Sequence, residues 1–233
     1  MKLGRAVSAT ILLAVLMSCG SAVSAKKKPW DLDRFSKCLQ TTGRDELAPN
    51  LIVTSQPCNS SRNPIVSTEN MPGDLRALAW VTGARNKDRP ELAFVSIAFG
   101  TRIERTSTYV GGAPLTRDTG GRLSFQVVMA LVSGNRQELK TRFEQPQAEC
   151  SRMSQGALAS ETCTFTEAGL IQLPAALLDE LARTHLADSA AMFRFRVETA
   201  SGSITFAMPV AEIEAVRRSV FQTVPDQQQS AAS

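Results

Sequence analysis

Imidazole chemistry is nearly absent from this chain: a single histidine, His185, stands among 233 residues. One ring cannot build a multi-histidine metal site, and it leaves at most one imidazole base for nucleophilic catalysis. Aromatic residues make up only 6%, with one tyrosine and two tryptophans. No CxxC pair occurs, so a sequence-local zinc or dithiol site is missing. No Gly-rich run opens a helix in the manner of a phosphate loop, and no Gly-x-Ser-x-Gly elbow or Asp-x-Asp-x-Asp-Gly calcium loop is found. Neither cofactor nor metal is therefore expected. What remains is globular in composition, 43% hydrophobic and 21% charged, which excludes disorder and collagen-like repetition.

The one long apolar run lies at the start. Residues 1–25 carry Lys2 and Arg5, then an apolar core from Ala6 to Met17, then small residues at Val23-Ser24-Ala25. That order is read as a cleaved secretory signal peptide, the apolar stretch being shorter than the roughly 20 residues of a spanning helix. A second reading competes for the same segment. Leu16-Met17-Ser18-Cys19-Gly20 resembles a bacterial lipobox, with Met17 in place of the usual small residue; Cys19 would then carry lipid and tie the protein to a membrane. Both readings export the chain, to the periplasm or beyond the cell in the first case and to a membrane anchor in the second.

Loss of Lys2 and Arg5 lowers the 26 basic residues to 24 against 22 acidic, a net charge of +2. With few aromatics and no basic face, nucleic-acid binding is not expected. Four cysteines then remain: Cys38, Cys58, Cys150 and Cys163. An even count in an exported chain points to disulfides, with three connectivities open. The closeness of Cys38 to Cys58, and of Cys150 to Cys163, favours sequential bridging.

Periodicity organises the rest. Leu32, Phe35 and Leu39 share one face of a short N-terminal helix begun by Asp31 and Asp33. Residues 26–75 are read as that helix followed by an irregular, disulfide-held connector, residues 76–224 as one α+β domain, and 225–233 as a disordered tail. Candidate strands lie at 77–81, 92–99, 102–110, 123–131 and 139–143. The second is apolar on both faces, which predicts a central strand covered on both sides. The fourth places Leu123, Phe125, Val127, Met129 and Leu131 on one face. Phe193, Phe195 and Val197 alternate with Arg194, Arg196 and Glu198, and Ile204 to Met208 resumes that alternation after Ser201-Gly202, a hairpin signal. Pro174 and Pro209 each end an apolar-x-apolar strand and open an amphipathic stripe, so two helices are expected on the same sheet. The expected architecture is an antiparallel sheet of about six strands, two C-terminal helices packed on it, and the short N-terminal helix.

Function is less legible. His185 falls at the C-terminal end of the first Pro-started helix, where a ring complements the helix dipole. A loop over 106–121 with Tyr109 and Arg117, and the outward row Arg194 and Arg196, are the candidate binding surfaces. The leading expectation is a non-enzymatic binding or structural module of the bacterial cell envelope, with a periplasmic or envelope partner. The alternative is a carboxylate-based hydrolase of envelope polymers, drawing on acids such as Glu104 or Glu144.

Overall fold

The computed structural model describes residues 29–43, 50–58, 64–71, 75–86, 88–116, 122–132 and 134–221. Alternation of apolar and polar residues builds most of the chain into strands, and 3.6-residue stripes build the helices. The elements are α1 (Leu32–Cys38), β1 (Gln40–Thr42), β2 (Asn50–Thr54), β3 (Ile65–Glu69), β4 (Arg76–Asn86), β5 (Phe94–Val110), β6 (Ala113–Thr116), β7 (Phe125–Val132) and β8 (Asn135–Glu138). They continue with β9 (Thr141–Phe143), β10 (Gln147–Gln155), β11 (Leu158–Leu173), α2 (Ala175–Ala187), β12 (Met192–Thr199), β13 (Ser203–Pro209) and α3 (Val210–Phe221).

Among the described residues the strands form two antiparallel sheets rather than one of six. Sheet A has eight strands along the path β1-β2-β4-β5-β11-β10, with β6 beside β5 and β9 beside β11. Sheet B has five, in the order β3-β13-β12-β7-β8. Residues 40–75, expected as an irregular connector, contribute β1 and β2 to sheet A and β3 to sheet B. Their short, polar-flanked runs give little periodicity, and pairing with β4 and β13 supplies the order that propensity lacks.

The two sheets meet through aromatic residues. Phe99 of β5 has its ring 5.6 Å from Phe125, 5.7 Å from Phe195 and 5.6 Å from Phe206. Phe195 and Phe206 stack at 4.9 Å. Gly169 stands opposite Phe99 in β11, and a Cβ there would lie 2.6 Å from the ring, so only glycine admits Phe99 at this depth. The sheet-facing side of α3 works the same way: a Cβ on Gly83 would meet Val220 at 2.6 Å.

Strand β7 departs from the expected face. Leu123 is buried and Phe125 packs on the core, but Val128 and Ala130 are then the buried pair, and Leu131 is exposed. The register against β12 shifts between Glu198 and Thr199. One extra residue inverts the side-chain phase, so Val127, Met129 and Leu131 turn away from the core.

The helices form where their stripes predict. Asp31 caps α1, its carboxylate accepting from the amides of Asp33 and Arg34. Phe35 packs on Ala211 and Ala215 of α3, with Leu32 and Leu39 beside it. The two strand-Pro-helix junctions are also present, but their strands, β11 and β13, belong to different sheets. Helix α3 covers β4, β2 and β5 of sheet A, while α2 packs against α3. Covered by α1, α2 and sheet A, eight residues of the 12-residue α3 are buried.

Both disulfides take the sequential pairing. Cys38–Cys58 ties the end of α1 to the short turn Gln56–Cys58, and Cys150–Cys163 bridges facing residues of β10 and β11. The signal or lipobox segment with Cys19, Arg117 and the tail 225–233 lie outside the described residues.

Candidate functional site

Strand β5 explains where a site can form. Its inward residues Val95, Ile97 and Phe99 are in the core, as expected. The other face is more open: Ala98 and Gly100 are half-buried and Arg102 is exposed, although Ser96 is buried. By alternation it carries Ser96, Ala98, Gly100 and Arg102. The neighbouring strands continue these rows. Leu78 faces Gly100, which faces Ala168; Trp80 faces Ala98, which faces Leu170, which in turn faces Arg142 of β9. The second apolar face read from the sequence is therefore an open surface, not a second buried layer.

Small side chains in the middle and large ones beside them make that surface concave. A groove of about 780 Å³ is lined by Leu78, Trp80, Gly100 and Ala168, with Arg76, Arg102 and Glu104 at one end. That lies within the roughly 300–1,000 Å³ range of small-molecule sites. Toward the other end of the same face a second hollow of about 310 Å³ holds Ser96, Lys140, Thr141, Arg142 and Gln172, with Phe94 and Leu170. Leu78, inside β4, is 54% exposed and Phe94, at the start of β5, 39%, an exposed apolar pair on one face. The sequence singled out none of these residues except Glu104. The available signal was that the middle stretches 77–81 of β4, 94–100 of β5 and 168–171 of β11 are apolar or small in both phases.

The acidic groups are arranged for structure. Glu104 is the one carboxylate lining either hollow, and it is ion-paired with Arg102 at 2.6 Å. Glu167 is buried and accepts from the amides of Leu123, Ser124 and Phe125. Glu212, fully buried on α3, accepts from the Ser55 hydroxyl, which also accepts from the Val81 amide. Glu214 accepts a forked pair of bonds from Arg217 at 2.6 and 3.0 Å and one from Arg218 at 2.7 Å. Glu214 and Arg218 stand at i,i+4 spacing, and Arg217 joins them in a three-part cluster around a buried carboxylate. Among the described residues no group of three or more His, Cys, Asp or Glu side chains converges on a metal position.

Burial alone would raise the Glu214 pKa, but the hydrogen bonds from Arg217 and Arg218, and their charges, outweigh it and hold the carboxyl below the ordinary 4.5. The same contact holds the Arg217 guanidinium above its ordinary value. A depressed folded pKa stabilises the protein above the unfolded value and ceases to as pH falls through the folded one. Denaturation of Glu214→Gln should therefore show a stability deficit that is constant from neutral pH to about 5. It should shrink as pH drops further, and a deficit independent of pH down to unfolding would refute this assignment.

The residues expected to bind are dispersed. Tyr109 sits near the end of β5, in a hairpin with β6 rather than a long loop. Its hydroxyl donates to Glu161 at 3.3 Å, and the Arg152 guanidinium lies 5.5 Å from its ring centroid. It is a cross-strand prop. Arg194 and Arg196 do face outward, but on sheet B. Arg196 bonds Glu69 at 2.9 Å and lies 2.7 Å from Glu198, which neutralises it; Arg194 is exposed. His185 is in the last turn of α2, as predicted.

Comparison with known proteins adds no relative: no family model matches the chain, and no curated protein matches it in sequence. Two disulfides are nonetheless a compartment marker, since such bonds persist in oxidising surroundings outside the cytosol. No helix among the described residues is long and apolar enough to cross a membrane.

Proposed function

We propose that this chain is an exported, periplasmic binding module of the bacterial cell envelope, and that the outer groove of sheet A is its binding site. One observation carries the reading: three adjacent central strands present apolar and small residues to an open face, in a concave groove with cations along its margins. A purely structural sheet would favour polar residues on that face, because exposed Leu78 and Phe94 are costly in water. The disulfides and the signal-like first 25 residues support export, with membrane attachment only if Cys19 is lipidated. The hydrolase reading gains nothing from this groove, since polymer cleavage by carboxylates needs two of them astride the bond and here Glu104 stands alone.

Trp80 reports on its own site. Trp30→Phe leaves it the only tryptophan of the two in the chain. Extract of the bacterial envelope should then shift Trp80 emission saturably. Gly100→Val should abolish the shift, because a Cβ at Gly100 finds only ordinary contacts, at 3.5 and 3.8 Å, and fills the groove without disturbing the fold. A saturable shift that survives in Gly100→Val, or none in the parent, rejects the groove.

A further inference from the structure

The two hollows differ in chemistry although they share one face. The larger is lined by the apolar and small residues Leu78, Trp80, Gly100 and Ala168, with Arg76, Arg102 and Glu104 at one end. The smaller sets two cations, Lys140 and Arg142, beside the amide of Gln172, and no carboxylate lines it; the Thr141 hydroxyl donates to the Leu139 carbonyl at 2.9 Å. Neither cation has an ion-pair partner among the described residues. Arg142 shares a cross-strand row with Leu170, Ala98 and Trp80, so the cationic end opens directly onto the apolar floor. Across those four strands the row spans about 14 Å at 4.8 Å per strand, and from Ser96 to Arg102 the floor runs about 20 Å along β5.

From this juxtaposition we infer that the groove takes a single anionic amphiphile: an unbranched apolar chain ending in a carboxylate or phosphate. The inference rests on the groove being the binding site. The head lies between Lys140 and Arg142, where a guanidinium and an ammonium satisfy the anion's oxygens and the side-chain amide of Gln172 adds a donor. The chain lies along Leu170, Ala98 and Gly100 against the flank of Trp80, removing apolar surface of both partners from water. Charge complementarity selects this occupant over a neutral one, since two cations with no ion-pair partner among the described residues stand at the end of an apolar trough. Half-burial of Trp80, Ala98 and Leu170 favours a slender chain along the floor over a flat bilayer surface, with the more exposed Leu78 and Phe94 at its edges.

The test uses the full chain with Trp30→Phe and four probes below their micelle concentrations where these exist: laurate, dodecyl phosphate, dodecyl maltoside and inorganic phosphate. Laurate and dodecyl phosphate should shift Trp80 emission saturably, and dodecyl maltoside should bind at least about tenfold more weakly. The double variant Lys140→Gln, Arg142→Gln should weaken both anions about tenfold and leave the maltoside unchanged. Inorganic phosphate alone should give no shift. Equal affinity for the maltoside, or an ineffective double variant, overturns the anionic head while leaving the groove as a site. Silence of every amphiphile while envelope extract still moves Trp80 assigns the groove to another ligand class. Sedimentation with phosphatidylglycerol vesicles, with the monomeric probes silent, would make it a membrane-docking face and overturn the single-amphiphile assignment. Silence of both probes and extract removes the site itself.

Discussion

Glu167→Ala is expected to cost about 4 kcal/mol, because it strips the partner from three backbone amides at once. The carboxylate of this β11 residue accepts from Leu123 and Ser124 through Oε1, at 2.5 and 3.1 Å, and from Phe125 through Oε2 at 3.3 Å. Bonds to a charged acceptor contribute roughly 1.5–3 kcal/mol each, and an amide left buried and unpaired costs about 1–3 kcal/mol. The three amides belong to the entry of β7, where Ser124 sits at a φ of 56°, a conformation its backbone does not favour unaided. Glu167 thus ties sheet A to the first residues of a sheet B strand. Thermal unfolding should move down by about 8–16 °C, at roughly 2–4 °C per kcal/mol for a chain of this size. Glu167→Gln offers a graded control. Its amide oxygen still accepts from Leu123 and Ser124, while its NH2 group opposes the Phe125 amide, so about half the loss is expected. If both variants melt like the parent, the carboxylate is not what fixes the β7 entry.

Phe99→Ala should be comparably damaging through packing alone. The ring is fully buried between the sheets and lies within 6 Å of Phe125, Phe195 and Phe206. Truncation of a buried Phe removes its transfer free energy and leaves a cavity, together about 3–5 kcal/mol. Collapse around the gap is restrained on one side by the backbone at Gly169, which cannot move inward without breaking the β5–β11 ladder. Chemical denaturation with an unchanged slope and a midpoint lowered by that loss divided by the slope is the expected result. A loss below about 1 kcal/mol would show that the sheets repack, and that the aromatic cluster does not set their spacing.

The elements legible in the sequence are those whose signal is local. The β12–β13 hairpin was readable because Phe193, Phe195 and Val197 alternate with charged residues beside a glycine turn. Helix α3 was readable because Val210, Ile213, Val216 and Val220 recur at helical spacing. Proximity of each cysteine pair along the chain favoured the sequential bridges that the structure shows. By contrast, β10 is exposed along its whole length and has no apolar face, so nothing in its residues marks a strand. Its order comes from the ladder to β11 and from the Cys150–Cys163 bridge. The β7 error has the same origin, since a bulge opposite Glu198 and Thr199 is invisible in the hydrophobic pattern that it inverts.

The candidate site was half legible. That β5 is apolar on both faces was plain, and it implied something covering each. Sequence could not say whether that cover is the protein itself or a ligand, because the answer depends on what the rest of the chain places above Ala98 and Gly100. Nor could it show that Lys140 and Arg142 arrive beside Leu170, since β9 reaches that row only by pairing with β11.

By itself, then, the amino-acid sequence determined the near-absence of histidine chemistry, the three helices and the strongest strands, and it favoured the sequential cysteine pairing among the three open to it. Those properties are set by composition and by residues a few positions apart, whose interactions form in any compact state of the chain. Tertiary structure alone decided that the strands divide into two sheets, that Glu167, Glu212 and Glu214 are interior and partnered, and that one apolar face stays open between cations. Each of these depends on strand register between distant segments, which backbone hydrogen bonding fixes only when the whole fold is assembled.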